Sequence, residues 1–296
     1  MRIQTLKALI WVQELGSIRA AARRVHVSQP ALTVGIKQLE EELGTPLLVR
    51  TKKGVSLNRF GQAFIRHARL IVAESRKAQE EIDQLRGRWG GEVRFSTSPA
   101  FALSVLPHAI RPFMKKYPEV MVHCRDGLYP EVVSDLRAGA IEFALTPVRS
   151  DVIEPDLEAE PLCDSQAVIA ASRTHPLVGA DRLSMLADCL WAFSTESGGP
   201  GAIIEEAFEA AQLGPPRRGM VCESLLALPS IVANTELLTT IPRNLFERYP
   251  DELSVVAVRE ELPRLKIRVL RLQELPLTPA AQELIGWIRH AAGMIF

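Results

Sequence analysis

Gln29, Thr33 and Lys37 recur every four residues and carry side chains suited to reading another molecule. On a helix this spacing puts them on one face. The face holds an amide, a hydroxyl and one ammonium, groups that exchange hydrogen bonds with base edges in a major groove. Arg23, Arg24, Arg50, Lys52 and Lys53 crowd around it, and cations so placed suit phosphates. The patterns of catalysis are missing. SGGPG lacks the G-K-[ST] ending of a phosphate loop and the spacing of a dinucleotide fingerprint, and there is no G-x-S-x-G elbow. None of the 6 histidines stands four residues from another, so no metal is indicated, and His123 in a strand reads as structural. The expectation is a binding protein that is not an enzyme and has no cofactor.

The elements that would position this face follow from punctuation. Gln4 to Leu15 reads as a first helix, ended by Gly16, and Ser17 caps a short second helix to about His26. Val27 lies in a tight turn. Ser28 caps a third helix, with Pro30 in its first turn, where a missing N–H costs least. Leu32, Ile36, Leu39 and Leu43 form its core stripe. This is the layout of a helix-turn-helix, and equally of an ordinary αα-hairpin with a solvated face; the surrounding cations favour the first. The candidate DNA-reading residues are Ser28, Gln29, Pro30, Thr33, Val34 and Lys37, while the run Glu40-Glu41-Glu42 lies far enough along to point away from a duplex. After Pro46, Leu47 to Arg50 and Val55 to Leu57 read as a hairpin with a cationic tip, so Arg50, Lys52 and Lys53 are candidate phosphate contacts.

Asn58 caps a long helix expected to reach about Arg88. Phe60, Phe64, Ala68, Ile71, Ser75, Ala78, Ile82, Leu85 and Trp89 recur at spacings of four and three, close to a heptad seam. A narrow seam on a rod of roughly 45 Å needs a partner. A second copy is the simplest; packing on the chain's own body is the alternative. Gly87, Gly90 and Gly91 then mark a boundary.

Charge divides at the same place. Residues 1–91 hold 16 Lys and Arg against 8 Asp and Glu, a net +8, and the remainder holds 19 against 27, a net −8. A basic head on an acidic body fits nucleic-acid binding confined to the head. The length of 296 residues suits about two domains, and 47% hydrophobic content suits sizeable cores. No secretory signal or membrane-length apolar run is visible, and the 4 cysteines are widely spaced, which reads as a reducing cytoplasm.

From Glu92 strands and helices alternate, which predicts parallel sheets covered by helices. Ligands of such sheets bind beyond the carboxyl ends of strands. Three stretches qualify: Ser98-Pro99-Ala100 after the first strand, Thr146-Pro147 after a later one, and the glycine-rich turn containing Ser194, Gly199, Pro200 and Gly201, suited to an anion at a helix start. Glu223, Ser224 and Pro242 follow other strands, and Phe101, Phe193 and Leu225 offer apolar walls. Together they suggest a small anionic ligand with a hydrophobic body, such as an aromatic carboxylate or sulfonate.

SIRAAARRVHVSQPALTVGIKQLEEELGTPLLVRTKKGVSL, residues 17–57, resembles the N-terminal module of LysR-type transcriptional regulators. Gly35, Asn58 and Phe60 depart from the usual pattern, and Gly35 weakens the helix it interrupts. The resemblance implies an all-α winged helix-turn-helix head (1–58), a linker and dimerisation helix (59–89) and an α/β effector-binding domain (90–296). That domain would be two-lobed, like a type 2 periplasmic binding protein, with lobe I near 92–162 and 267–296 and lobe II near 163–266. It further implies a dimer of dimers on promoter DNA, contact with RNA polymerase, and a small-molecule co-inducer that shifts the spacing of the heads. RTKKGVSL, GQAFIRHARLIV, GPGAII, VCES and LTPAAQELI are similar to the subgroup governing degradation of toluenesulfonate and other aromatic sulfonates. A regulator controlled by redox chemistry or a partner, with no metabolite, is the alternative within the same head.

Overall fold

The computed structural model describes residues 1–51, 54–194 and 202–296. The chain forms two compact units: Met1–Gly91 with Val133–Glu142, and Glu92–Val132 with Phe143–Phe296. The first begins with α1 (Ile3–Leu15), α2 (Ile18–Arg24) and α3 (Gln29–Leu43). The expected punctuation holds. Gly16 stops α1 at φ 63°, and Ser17 and Ser28 cap α2 and α3 by accepting from the Ala20 and Ala31 amides at 3.3 Å. Leu6, Leu9 and Val12 of α1 are buried, as are Leu32, Ile36 and Leu39 of α3. Gly35 has a packing reason: a methyl group there would lie 3.2 Å from Thr5 Oγ1, where α1 and α3 approach. Helix propensity yields to close contact at that turn.

Strands β1 (Leu48–Thr51) and β2 (Gly54–Leu57) form the expected antiparallel hairpin. The Val55 amide donates to the Gly16 carbonyl at 2.9 Å and so ties the hairpin to the end of α1. The Glu40 carboxylate accepts from the Leu47 and Leu48 amides at 2.7 and 3.2 Å, fastening the hairpin's entry to α3.

Helix α4 (Arg59–Leu85) opens on Asn58, whose side chain accepts from the Phe60 and Gly61 amides at 2.9 Å and donates to the Pro46 carbonyl. It ends three residues before the expected Arg88, at a turn through Gly87, φ 82°. The seam is not continuous. Ala68 is buried on the head's own core with Leu6, Leu9 and Leu57, and Phe64 and Ile71 pack against it; Ile65, outside the expected seam, joins them. Further along, Ser75, Ala78, Ile82 and Leu85 are exposed.

The α/β portion runs β3 (Gly91–Thr97), α5 (Pro99–Ser104), α6 (Leu106–Lys116), β4 (Val120–Asp126), α7 (Glu131–Arg137), β5 (Phe143–Pro147) and β6 (Leu157–Ser165). It continues β7 (Ala167–Ser172), β8 (Leu190–Phe193), α8 (Ala202–Ala210), β9 (Arg217–Val221), α9 (Ala227–Ala233), β10 (Thr239–Pro242), α10 (Arg243–Phe246), β11 (Leu253–Val256), β12 (Leu265–Leu272) and α11 (Pro279–Ile295). One lobe holds a sheet in the order β4-β3-β5-β12-β6. The other holds β10-β7-β11 and β8-β9, joined by hydrogen bonds between Ala192 and Leu238 and between Leu238 and Leu190. The expected all-parallel sheets are corrected to mixed ones: β3–β5 and β8–β9 are parallel, but β12 is antiparallel to β5 and β6, and β7 to β10 and β11. The chain crosses out along β6 and returns along β12, which forces that reversal.

Among the described residues no helix is long and apolar enough to cross a membrane.

Candidate nucleic-acid interface and ligand cavity

The reading face of α3 is free. Gln29, Pro30, Thr33, Val34 and Lys37 are exposed, with Val34 at 56%, while Leu32, Ile36 and Leu39 hold the opposite side in the core. Ser28 is exposed too, but its hydroxyl caps the helix. The Thr33 hydroxyl donates to the Gln29 carbonyl at 2.9 Å, which fixes its rotamer. Lys37 is held loosely by Glu41 at 3.6 Å, a surface pair that water screens. Arg23 and Arg24 flank the face, Arg24 lying over the Trp11 ring at 4.6 Å. Arg50 stands in β1 opposite Val55. Lys52 and Lys53 lie outside the described residues.

A second site lies between the two sheets of the α/β portion, a cavity of about 40 Å³ partly open to solvent. Ser98, Pro99 and Ala100 line it from the start of α5, as do Ser194, Glu223 and Pro242 from the other lobe, so six expected residues meet at one place. Phe101 and Leu225 form apolar walls as expected.

Three expectations fail. Thr146 is fully buried and its hydroxyl accepts from the Tyr129 amide at 3.3 Å; its neighbour Pro147 lines the cavity instead. Ser224 spends its hydroxyl on the Ala227 amide at the start of α9. Phe193 packs into the core with Trp191 and Phe208, under the Arg218 guanidinium. Gly199, Pro200 and Gly201 lie outside the described residues.

The sequence missed Ser165, Thr240 and Asn244 among the polar lining, and Leu265, Ile267 and Phe296 among the apolar lining. Ile267 belongs to the crossing strand β12, and Phe296 stacks on Phe101 with centroids 6.4 Å apart. No local signal marks such residues, because separate crossings of the chain bring them together.

Two contacts join the lobes beside the cavity. The Asn244 amide donates to the Ser104 hydroxyl at 2.6 Å, and Arg248 donates to the Leu103 carbonyl. Arg149 and Glu206 form an exposed pair elsewhere along the same boundary, at 2.7 Å.

Three of the four cysteines have thiols held above the ordinary value. Burial, with Asp164 adding to it, pushes the Cys163 thiol up to about 12, and burial with Asp126 pushes Cys124 up to about 11. Burial also raises Cys189. Reactive cysteines need the opposite shift. No cluster of metal-ligating side chains occurs among the described residues.

A family model described as the LysR substrate binding domain matches residues 86–293, and one described as a bacterial regulatory helix-turn-helix protein of the lysR family matches residues 3–62. The SDS degradation transcriptional activation protein of Pseudomonas sp. is 30% identical over 266 residues, spanning 90% of this chain and 83% of that protein. The transcriptional regulator GbpR of Rhizobium radiobacter is 26% identical over 250 residues, 82% of each chain. Among solved structures, CbnR, a LysR family transcriptional regulator, superposes with TM-score 0.72 at 22% identity over 99% of both chains. Full-length CbnR complexed with target DNA superposes equally well, over 98% of this chain and 100% of that one.

Proposed function

This chain belongs to the LysR family of transcriptional regulators, and on that premise we propose how it reads DNA and what it senses. It is a DNA-binding regulator with a substrate-binding domain, not an enzyme. The α3 face of Gln29, Thr33, Val34 and Lys37 enters a major groove, with Ser28 and Pro30 at the helix start against the backbone. Arg50, Lys52 and Lys53 of the hairpin neutralise phosphates. Support for this docking is the exposure of that face on a head whose core takes the other side.

Two copies pair through residues 58–88, using the exposed Ser75, Ala78, Ile82 and Leu85 stripe, and two pairs assemble on a promoter in the cytoplasm. The superposition on a full-length relative solved with its target DNA supports a head of the right architecture.

The co-inducer is a small aromatic acid, a carboxylate or a sulfonate. The cavity carries this reading: the hydroxyls of Ser98, Ser165, Ser194 and Thr240 meet an acid head, and Phe101, Leu225 and Phe296 meet an apolar body. The name of the Pseudomonas relative ties it to degradation of SDS, an anionic amphiphile. A redox-controlled regulator would need an activated thiol, and the raised thiols run against it. Ligand closes the lobes over itself and shifts the population of head spacings.

The test is promoter protection with and without a panel of aromatic sulfonates and carboxylates, paired with thermal melts. An acid that raises the melting temperature and alters the footprint is the expected result. A panel that leaves both unchanged overturns the ligand assignment.

A further inference from the structure

The cavity lining includes Asn244, whose amide oxygen only a hydrogen-bond donor can satisfy. Asn244 Oδ1 is buried with no partner among the described residues. Its orientation is set by a short relay. The Ser104 hydroxyl donates to the Ala100 carbonyl at 2.9 Å, within its own helix turn. With its proton committed there, Ser104 faces Asn244 as an acceptor, so the atom 2.6 Å away is the amide nitrogen. Turning the amide over would cost the Ser104–Ala100 bond, because the one hydroxyl proton would have to move to Asn244. With that bond intact, the oxygen is the amide atom left without a partner.

A second unsatisfied group shares the cavity. Ser194 Oγ has no partner among the described residues, and the residue is only 7% exposed. A hydroxyl can donate or accept, so Ser194 places no constraint on a ligand's sign. Asn244 does. Glu223, also on the lining, accepts only, and no Lys, Arg or His lines the cavity among the described residues. The cavity thus offers hydroxyls for an acid, while Asn244 and Glu223 favour a group bearing an N–H or O–H.

We propose that Asn244 is a specificity-determining residue that reads a hydrogen-bond donor, a hydroxyl or amino group, on the body of the co-inducer. Ser104 is the positioning residue that aims it. The claim rests on the aromatic-acid reading above and narrows it: the ligand is bifunctional, carrying both an acid and a hydrogen-bond donor. A ligand lacking the donor leaves Asn244 Oδ1 buried and unmatched, which is how a site built on polar complementarity rejects a close analogue.

Titrations of the full-length protein with matched pairs test it: benzoate against 4-hydroxybenzoate, and benzenesulfonate against 4-hydroxybenzenesulfonate, with 3-hydroxy and amino isomers to sample position. At least one donor-bearing member should bind about tenfold more tightly than its parent, roughly one neutral hydrogen bond. Asn244→Leu should remove the preference, and Asn244→Asp, which keeps an acceptor, should retain it. Ser104→Ala, which leaves Asn244 in place but frees its amide, should shrink the preference and serves if Asn244→Leu fails to fold. Equal binding within every pair, or a preference that survives in both Asn244→Leu and Ser104→Ala, overturns the assignment of Asn244 alone. Failure of every acid to bind overturns the aromatic-acid reading and this one together.

Discussion

Gly61 lies directly beneath the Leu47 carbonyl: a methyl group added at Gly61 would fall 2.3 Å from that oxygen, which already accepts the Asn58 amide at 2.9 Å. The start of α4 and the entry to the hairpin therefore meet backbone to backbone. Leu57 closes the other side, with Cδ2 at 2.9 Å from the same added methyl. Neither the carbonyl nor the helix start can yield without breaking the cap. Gly61→Ala should destabilise the head by about 1–3 kcal/mol, despite the better helix propensity of alanine. Urea or thermal unfolding checks this, and an unchanged midpoint would mean that α4 shifts freely against the hairpin.

The exposed face of α3 yields a prediction about discrimination. Thr33→Ala removes a hydroxyl and a methyl at the centre of that face, so the ratio of operator to random-sequence affinity should fall, by about 1–3 kcal/mol for a lost base contact. Lys52→Ala should weaken both affinities alike and lower the salt dependence by about one unit of slope. Binding titrations at several salt concentrations separate the two behaviours. Unaltered affinity and slope in both variants would remove α3 and the hairpin from the docking.

The far half of α4 should carry the pairing of copies. Ile82 is 47% exposed and Leu85 70%, on a helix whose near half is already buried against its own head. Ile82→Asp with Leu85→Asp should shift sedimentation toward the monomer, with little effect on head stability. Dimers that persist unchanged would place the interface elsewhere.

The thiols give a pH prediction with a definite sign. Cys163 holds its proton up to about 12 against an ordinary 9.0, because burial and Asp164 disfavour the thiolate. The folded chain binds that proton more tightly than the unfolded chain. Its stabilising contribution is complete below about pH 9 and is lost as pH rises toward 12. At pH 8 the thiolate fraction is roughly one in ten thousand, so alkylation by iodoacetamide should be very slow until the chain unfolds. Rapid labelling of Cys163 in the native protein, or loss of ligand response in Cys163→Ser, would revive redox control.

The head was nearly all legible in the sequence because its signals are local. Ser17, Ser28 and Asn58 announce caps, and Leu32, Ile36 and Leu39 announce a face. What escaped there was long-range: Glu40 reaching seven and eight residues ahead to the Leu47 and Leu48 amides, and Gly35 admitting Thr5. In the α/β portion most strands were legible from runs such as Ala167–Ser172. Strand β6, LEAEPLCDS, was not, since its acids and Pro161 read as loop. It survives as a strand because it lies at the edge of its sheet, where Pro161 costs little and Glu158 and Glu160 find Arg271 and Arg289. Thr146 was misjudged for a related reason: a strand's last residue points to one face or the other, and alternation sent Thr146 to Tyr129 and left Pro147 at the cavity. Asn244 and Phe296 carried no signal at all, being neighbours only through the fold.

The paired strands β6 and β12 carry the chain from one lobe to the other and back. Any swing of one lobe against the other must bend both strands at once while they stay hydrogen-bonded. Their register slips between Ile267 and Arg268, where Arg268 faces Pro161, a residue with no amide hydrogen to give. Flexing there sacrifices the fewest bonds. Since Ile267 also forms part of the cavity wall, a swing of the lobes about that slip would reach the cavity directly through β12.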